Sequence, residues 1–336
     1  MPDNILVPTY ISTNGAVVGD MPASVGRTLL NNNMDFNSLR RIRANGGIMP
    51  YESNWTHYDE LIIQAAMPVM NVFADLDDAG LVVRTNTPRH RVTEWVTSGD
   101  RAMANVGMEV DSEIDRDLLN FERVRLPLPF VANAFRLTMR EIGDLGDGIN
   151  IQDLNAQDAA RRVALRVEDM CVNGYPHKIE GMIIPGMRTY PGNTPISFTT
   201  PFNAENAPDM LNRLIDEMEA REFFDAPTIL YLPTGMSSVL NQIVPDTHGR
   251  LLREHLELMT GIDRIKTTSR MPKGEMVLVR LASDTIDVLQ AQDLITVEWD
   301  SRGGMMFDFM VLTILVPRVK ARQDGKVGIV HATFRT

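Results

Sequence analysis

The chain has 336 residues, 44% of them hydrophobic and 23% charged, a balance that belongs to an ordered globular protein of one large or two ordinary domains. A net charge of −11 argues against a dedicated nucleic-acid binder, and no run of 18 apolar residues exists to form a membrane-spanning helix. Cys171 is the single cysteine, which excludes an internal disulfide and fits a reducing compartment; the start MPDNILVPTY lacks the basic and apolar regions of a signal peptide, so cytoplasmic synthesis is expected.

Residues 1 to about 50 are rich in Asn, Gly, Ser and Thr, with prolines at 2, 8, 22 and 50, and read as a partly extended arm. Four Arg against three Asp give this stretch a charge of +1, and Arg40, Arg41 and Arg43 stand together. The cluster is a candidate DNA-facing patch, though phosphate binding usually needs several cations. A solvated face and an interface anchor remain open. Across the whole chain there are 28 Arg and only five Lys. Arg suits bidentate pairing with carboxylates across interfaces, and codon usage produces the same bias.

Apolar residues at 61, 62, 65, 66, 69, 70 and 73 predict an amphipathic helix bent at Pro68. From Leu81 to Arg125 follows a charged segment with no helical period, whose flanks read as outgoing and returning strands. A strand of about 17 residues reaches about 55 Å, whereas a domain of about 300 residues is only about 50 Å across. A lone hairpin of that kind is marginal in water. It is expected to find its partners on other molecules, first of all on further copies of this chain.

Within the loop, Glu109, Asp111, Glu113, Asp115 and Asp117 occupy alternate positions, which on a strand puts all five carboxylates on one face. Such a ladder repels itself unless cations, water or Arg groups face it. The outgoing strand is net positive, with Arg84, Arg89, Arg91 and Arg101 against Glu94 and Asp100; residues 109–122 sum to −5, six acids against Arg116. These Arg and acidic residues are candidate assembly contacts, the acidic face docking on Arg of an adjacent subunit. A solvated edge that blocks stray strand pairing and a divalent-cation site are the alternatives.

Leu126-Pro127-Leu128-Pro129-Phe130 then forces an extended path into a strand at 131–138. The clearest helix runs from about Asp153, a candidate N-cap, to Val172, with Gly174 just past its end. Its stripe is Ala156, Ala160, Val163, Val167, Met170 and Cys171; Arg161, Arg162, Arg166, Glu168 and Asp169 are read as lying off it. Residues 201–300 alternate helix and strand as a compact α/β module: a helix capped by Asn206, a buried strand at 228–232, a helix from Thr234, another at 250–259, and strands at 276–281, 285–290 and 295–299. The stretch 310–316 is apolar on both alternating faces, as a central strand is, and 328–334 supplies one more.

Chemistry has little foothold. His248 and His255 lack a third ligand, and Gly143 to Gly148 lacks the Lys and Ser/Thr of a phosphate loop. No nucleophile elbow is present. No enzyme activity, cofactor or metal is expected.

The order of these parts resembles the major capsid protein fold of tailed phages, which encapsulin shells share. The residues that carry the resemblance are Trp55-Thr56-His57-Tyr58-Asp59, Leu126-Pro127-Leu128-Pro129-Phe130, the 153–172 helix and Ile179-Glu180-Gly181. The fold implied is α+β, with an N-terminal arm (1–50), an extended β-hairpin loop (81–126), a peripheral domain (51–80, 127–200 and 301–336) carrying the spine helix 153–172, and an axial α/β domain (201–300). The function implied is a virion capsid of pentamers and hexamers, closing into an icosahedral shell around double-stranded DNA held by non-specific contact. Its further partners would be a portal protein, with a scaffold or cement protein as an option, and no membrane. An encapsulin-type compartment and, more distantly, a soluble α/β enzyme with an oligomerisation arm are the alternatives. The loop holds no Lys, so the isopeptide cross-link that some of these capsids form cannot start there.

Overall fold

A computed structural model describes residues 60–85, 90–98, 121–138, 141, 151–190, 192, 194–223, 226–243, 249–302, 305–322 and 325–335. The expected N-terminal arm, the motif at 55–59 and the loop positions 99–120 lie outside the described residues. In chain order the strands are β1 (Val82–Arg84), β2 (Val92–Ser98), β3 (Phe121–Pro127), β4 (Phe130–Thr138), β5 (Tyr175–Ile179), β6 (Met182–Ile184), β7 (Ile196–Pro201), β8 (Thr228–Pro233), β9 (Arg264–Thr268), β10 (Glu275–Arg280), β11 (Ile286–Ser301), β12 (Met306–Val319) and β13 (Ile329–Arg335). The main helices are α1 (Asn71–Asp78), α2 (Ile151–Asn173), α3 (Ala207–Ala220) and α4 (Leu252–Thr260). They divide between two compact units, one comprising 1–91, 127–171 and 288–317, the other 92–126, 172–287 and 318–336.

In the first unit the expected bend at Pro68 is a full break. Helix 60–66 passes into a 3-10 turn, Met67–Val69, and α1 starts afresh at Asn71. Proline has no N–H to donate and its ring obstructs the preceding turn, so the α ladder stops there. The sheet runs β1-β11-β12-β4. β12 is interior, and every residue from Phe307 to Val319 is buried, as a strand apolar on both faces requires. Its polar residues in this unit survive burial because each has a partner. Asp308 receives Arg136 Nε at 2.6 Å from the directly opposed position on β4, and Thr313 donates to the Gln292 carbonyl at 2.8 Å. One register step away, Phe309 stacks on Phe135 with centroids 5.0 Å apart.

Helix α2 buries Ala156, Ala160, Val163, Val167, Met170 and Cys171, the expected stripe. Two details differ. The helix already includes Ile151, so Asp153 lies in its first turn rather than at the cap. Glu168 is fully buried, not off the stripe: its carboxylate accepts the Val72 N–H at 3.1 and 3.0 Å and the Phe73 N–H at 3.4 Å. Those N–H groups open α1 and have no intrahelical acceptor, so α2 caps α1 from 96 residues away. The same burial, with Glu168 close by, pushes the Cys171 thiol far above its ordinary value, so it stays protonated and inert. Replacing Glu168 by Ala is expected to cost ~2–3 kcal/mol, because it strands buried donors that were bound to a charged group. Denaturant unfolding checks this, with Glu168→Gln expected to retain part of the loss.

In the second unit the sheet order is β7-β13-β10-β8-β9. One face packs on α3 and α4 through Leu211, Leu214, Met218, Leu252, Leu256, Leu230, Leu278 and Val330. β8 pairs parallel with β9 and antiparallel with β10, and β13 joins β10 antiparallel. The strands expected within 201–300 do not all share this sheet. Ile286–Ser301 is one long strand that joins the other sheet, where two strands were expected, while 329–335 completes this one. Hydrophobic pattern marks a buried strand but not the sheet that buries it. The helix expected from Thr234 amounts to a 3-10 turn and one α turn, Ser237–Leu240. Asn206 stands at the N-cap position of α3, but the side chain that accepts an N–H there is Asn203, through Oδ1 at 2.8 Å from Asn206 N.

Candidate assembly site at the base of the arm

The arm is shorter at its root than the sequence predicts. Val82–Arg84 does not belong to it, because β1 pairs parallel with β11 at Val288 to Gln290. The arm's described strands are β2 and β3, which pair as a two-stranded sheet of their own. An isolated pair of this kind needs an anchor.

The anchor is a buried ion cluster in the second unit. Asp287, 3% exposed, receives Arg318 through Nε at 2.7 Å and NH2 at 2.5 Å, a bidentate fork, and Lys320 Nζ at 2.8 Å. Arg318 turns its remaining NH1 onto Thr93 Oγ1 at 3.2 Å, and its guanidinium carbon stands 5.9 Å from the Trp95 ring centroid. Lys320 also donates to the Ser283 carbonyl at 2.6 Å. Thr93 and Trp95 alternate on β2, so period 2 puts both on the face that meets Arg318. A planar, permanently charged fork is what this geometry demands, and Lys could not replace Arg318 in it. On β2 between Thr93 and Trp95, Glu94 pairs with Arg125 of β3 at 2.8 Å, exposed on both sides and worth little.

The sequence-derived candidates scatter around this root. Arg84 is on β1, where it donates to Asp77 at 2.9 and 2.8 Å, and Asp293 is 3.9 Å away; Asp77, beside it, raises its basicity further. Arg91 is exposed, and its carbonyl accepts the Leu128 N–H at 2.7 Å where the arm's two ends come together. Arg89, Arg101, Glu109, Asp111, Glu113, Asp115 and Asp117 lie outside the described residues, as do Arg40, Arg41 and Arg43. Asp287, Arg318, Lys320 and Thr93 were not singled out from sequence. The only signal was a pair of cations, Arg318 and Lys320, at the close of a long apolar run.

Large apolar side chains stay uncovered in each unit: Met67 and Leu154 in the first, Ile243, Leu258 and Met259 in the second. Leu258 and Met259 share the last turn of α4, at 66% and 54% exposure, more than scattered surface residues usually show together. Among the described residues no group of His, Cys, Asp or Glu is placed to hold a metal ion, and no helix is long and apolar enough to cross a membrane.

Comparison with known proteins gives this architecture a context. The virus-like particle from Pyrococcus furiosus superposes with a TM-score of 0.57 at 15% identity, over 83% of this chain and 99% of its own. The capsid of Myoviridae phage XM1 gives 0.56 at 14% identity, covering 77% of this chain and 90% of its own. The capsid of a native GTA particle gives 0.56 at 13%, covering 78% and 90%. No curated protein matches the chain. A family described as "Encapsulating protein for peroxidase" matches residues 101–315, well over half the sequence. With that match, and with a backbone laid out as in phage and virus-like-particle coats, the chain belongs to the encapsulating-protein family and has the capsid-shell fold.

Proposed function

We propose that this chain is the coat subunit of a closed shell, and that the shell is the capsid of a tailed phage, built from pentamers and hexamers around double-stranded DNA. The observation that carries the reading is the fold itself. The XM1 and GTA capsids superpose on more than three quarters of this chain with a TM-score of 0.56, and the hairpin arm here is rooted through Arg318 and Asp287. Exposed Ile243, Leu258 and Met259 support self-association, since apolar surface of this kind is buried when copies meet. Individual contacts of this sort are modest and gain strength because each subunit grips several neighbours at once. The acidic ladder from Glu109 to Asp117 would choose register by facing Arg of an adjacent copy. A portal, a scaffold or cement protein and the packaged genome would be the remaining partners. The coat itself would carry out no chemistry.

A second reading is favoured by the family match: a bacterial compartment with enzyme cargo in place of a genome. Negative-stain microscopy of the purified full-length chain tests the common core of both, with closed shells expected. Single molecules or a small discrete oligomer at high concentration would overturn it and favour the enzyme class. Shells purified from the native source then separate the two readings, since nuclease-protected DNA belongs to the first and a co-purifying peroxidase to the second.

A further inference from the structure

On the face of the five-stranded sheet turned away from α3 and α4 lies a polar trio. His331 on β13 is 6% exposed, and its Nε2 is 2.8 Å from Glu275 Oε2 on the neighbouring strand β10. Glu275 also accepts Arg188 NH1, at 3.2 Å. Arg188 belongs to the segment that follows α2. Its Nε donates to Asn173 Oδ1 at 2.7 Å, and its backbone N–H donates to the Val172 carbonyl at 2.9 Å. Asn173, the last residue of α2, passes the connection on by donating to the Arg270 carbonyl at 2.9 Å. One carboxylate thus fastens the helix end, by way of Arg188, to strands β10 and β13.

We propose that Arg188, Glu275 and His331 form a pH-responsive clasp, in which proton uptake by His331 in mildly acidic solution loosens the 172–190 segment from β10 and β13. The charged and titratable groups facing His331 are few. β10 contributes Glu275, opposite Thr333, while directly across from His331 stands Val277. The segment after α2 contributes Arg188. Strand β7, on the other side, contains no ionisable residue, and Thr333 Oγ1 meets only Ser197 Oγ there at 3.3 Å. On β13 itself the same face carries only Arg335, four residues on. A proton on His331 therefore adds a second cation to a pocket with one carboxylate, already engaged by Arg188.

Burial is the largest influence and holds His331 below the ordinary imidazole range; Glu275 pulls the other way and Arg188 reinforces the lowering. The unfolded chain then binds this proton before the folded one does. The stability is complete above the unfolded value of about 6.5 and drains away as pH falls through the lower folded value.

Two measurements on the full-length chain, assembled as it purifies, test the clasp. Hydrogen–deuterium exchange at the imidazole C2 position, read by mass spectrometry, gives each histidine its own half-exchange pH. His331 is expected to reach half-exchange below the ordinary imidazole value of about 6.5, and a value at or above it overturns the proposal. Thermal unfolding of wild type and His331→Gln at pH 7.5 and 5.5 is the second. The wild type is expected to lose up to about tenfold more in its folding equilibrium per pH unit across the window. An identical pH dependence in the two proteins overturns the clasp. If the variant fails to fold, the exchange measurement on the wild type still decides.

Discussion

Asp287→Ala is expected to cost ~3–5 kcal/mol and to release the root of the arm, because it leaves buried cations without their counter-charge. Asp287 is the common acceptor for Arg318 and Lys320, and the Arg318 side chain is only 10% exposed. Water cannot readily replace the lost carboxylate. Arg318 would have to swing outward, and with it would go the hydrogen bond to Thr93 and the packing against Trp95 that hold β2. Asp287→Asn separates the two parts of the effect, since it keeps the shape and one acceptor but removes the charge. It should fall between alanine and wild type. Thermal unfolding reads the stability, and limited proteolysis between Ser98 and Phe121 reads the arm. A wild-type melting temperature together with wild-type cleavage rates for Asp287→Ala would show that the cluster anchors nothing.

Gly186→Ala is expected to be at least as damaging, about 3 kcal/mol or more, at the severe end of overpacking. A methyl group there would collide with backbone atoms of Gly174, Asn173 and Val172, none of which can rotate away. Gly174 has the reciprocal problem, its added Cβ meeting the Ile184 carbonyl oxygen and the backbone of Gly186 and Pro185, and it also holds φ +70. The two glycines let the return of the β5–β6 hairpin cross the end of α2 at backbone contact. Gly181→Ala is the control. It also has a positive φ, +85, but nothing lies within 4 Å of its added Cβ, so only the conformational cost of ~1–2 kcal/mol is expected. A loss at 186 no larger than that at 181 in denaturant unfolding would mean that the backbone crossing does not constrain position 186.

The turn between these strands shows how much a short motif can carry. Glu180 and Gly181 both have positive φ, 50 and 85, the conformation of a tight two-residue hairpin turn. In the sequence the pair stood out only through the family resemblance. Its partner crossing at Gly186 was not legible, because nothing local to that residue demands glycine; the demand comes from a backbone twelve positions away.

Glu168 teaches the same lesson from the opposite side. The sequence reading set it off the apolar stripe, whereas helical spacing puts it on one face with Ala160, Ala164 and Cys171, where it is fully buried. A charged residue on an apolar stripe is nevertheless uninterpretable until its partner is known, and that partner is the open start of α1. Likewise, Arg84 looked like part of a basic outgoing strand, but sheet pairing assigns it to β1 and to Asp77.

What the amino-acid order alone determined was the inventory of elements: the interruption of the first helix at Pro68, though as a bend and not a break, the long helix ended by Gly174, and the strand buried on both faces. These follow from periodicity and from the backbone limits of proline and glycine, which act over a few residues. Only the tertiary structure decided which strands share a sheet, that 286–301 and 329–335 go to different ones, and that Asp287 gathers Arg318 and Lys320 under the arm. Those choices depend on contacts between residues tens to hundreds of positions apart, where burial and the pairing of buried charge outweigh any local preference.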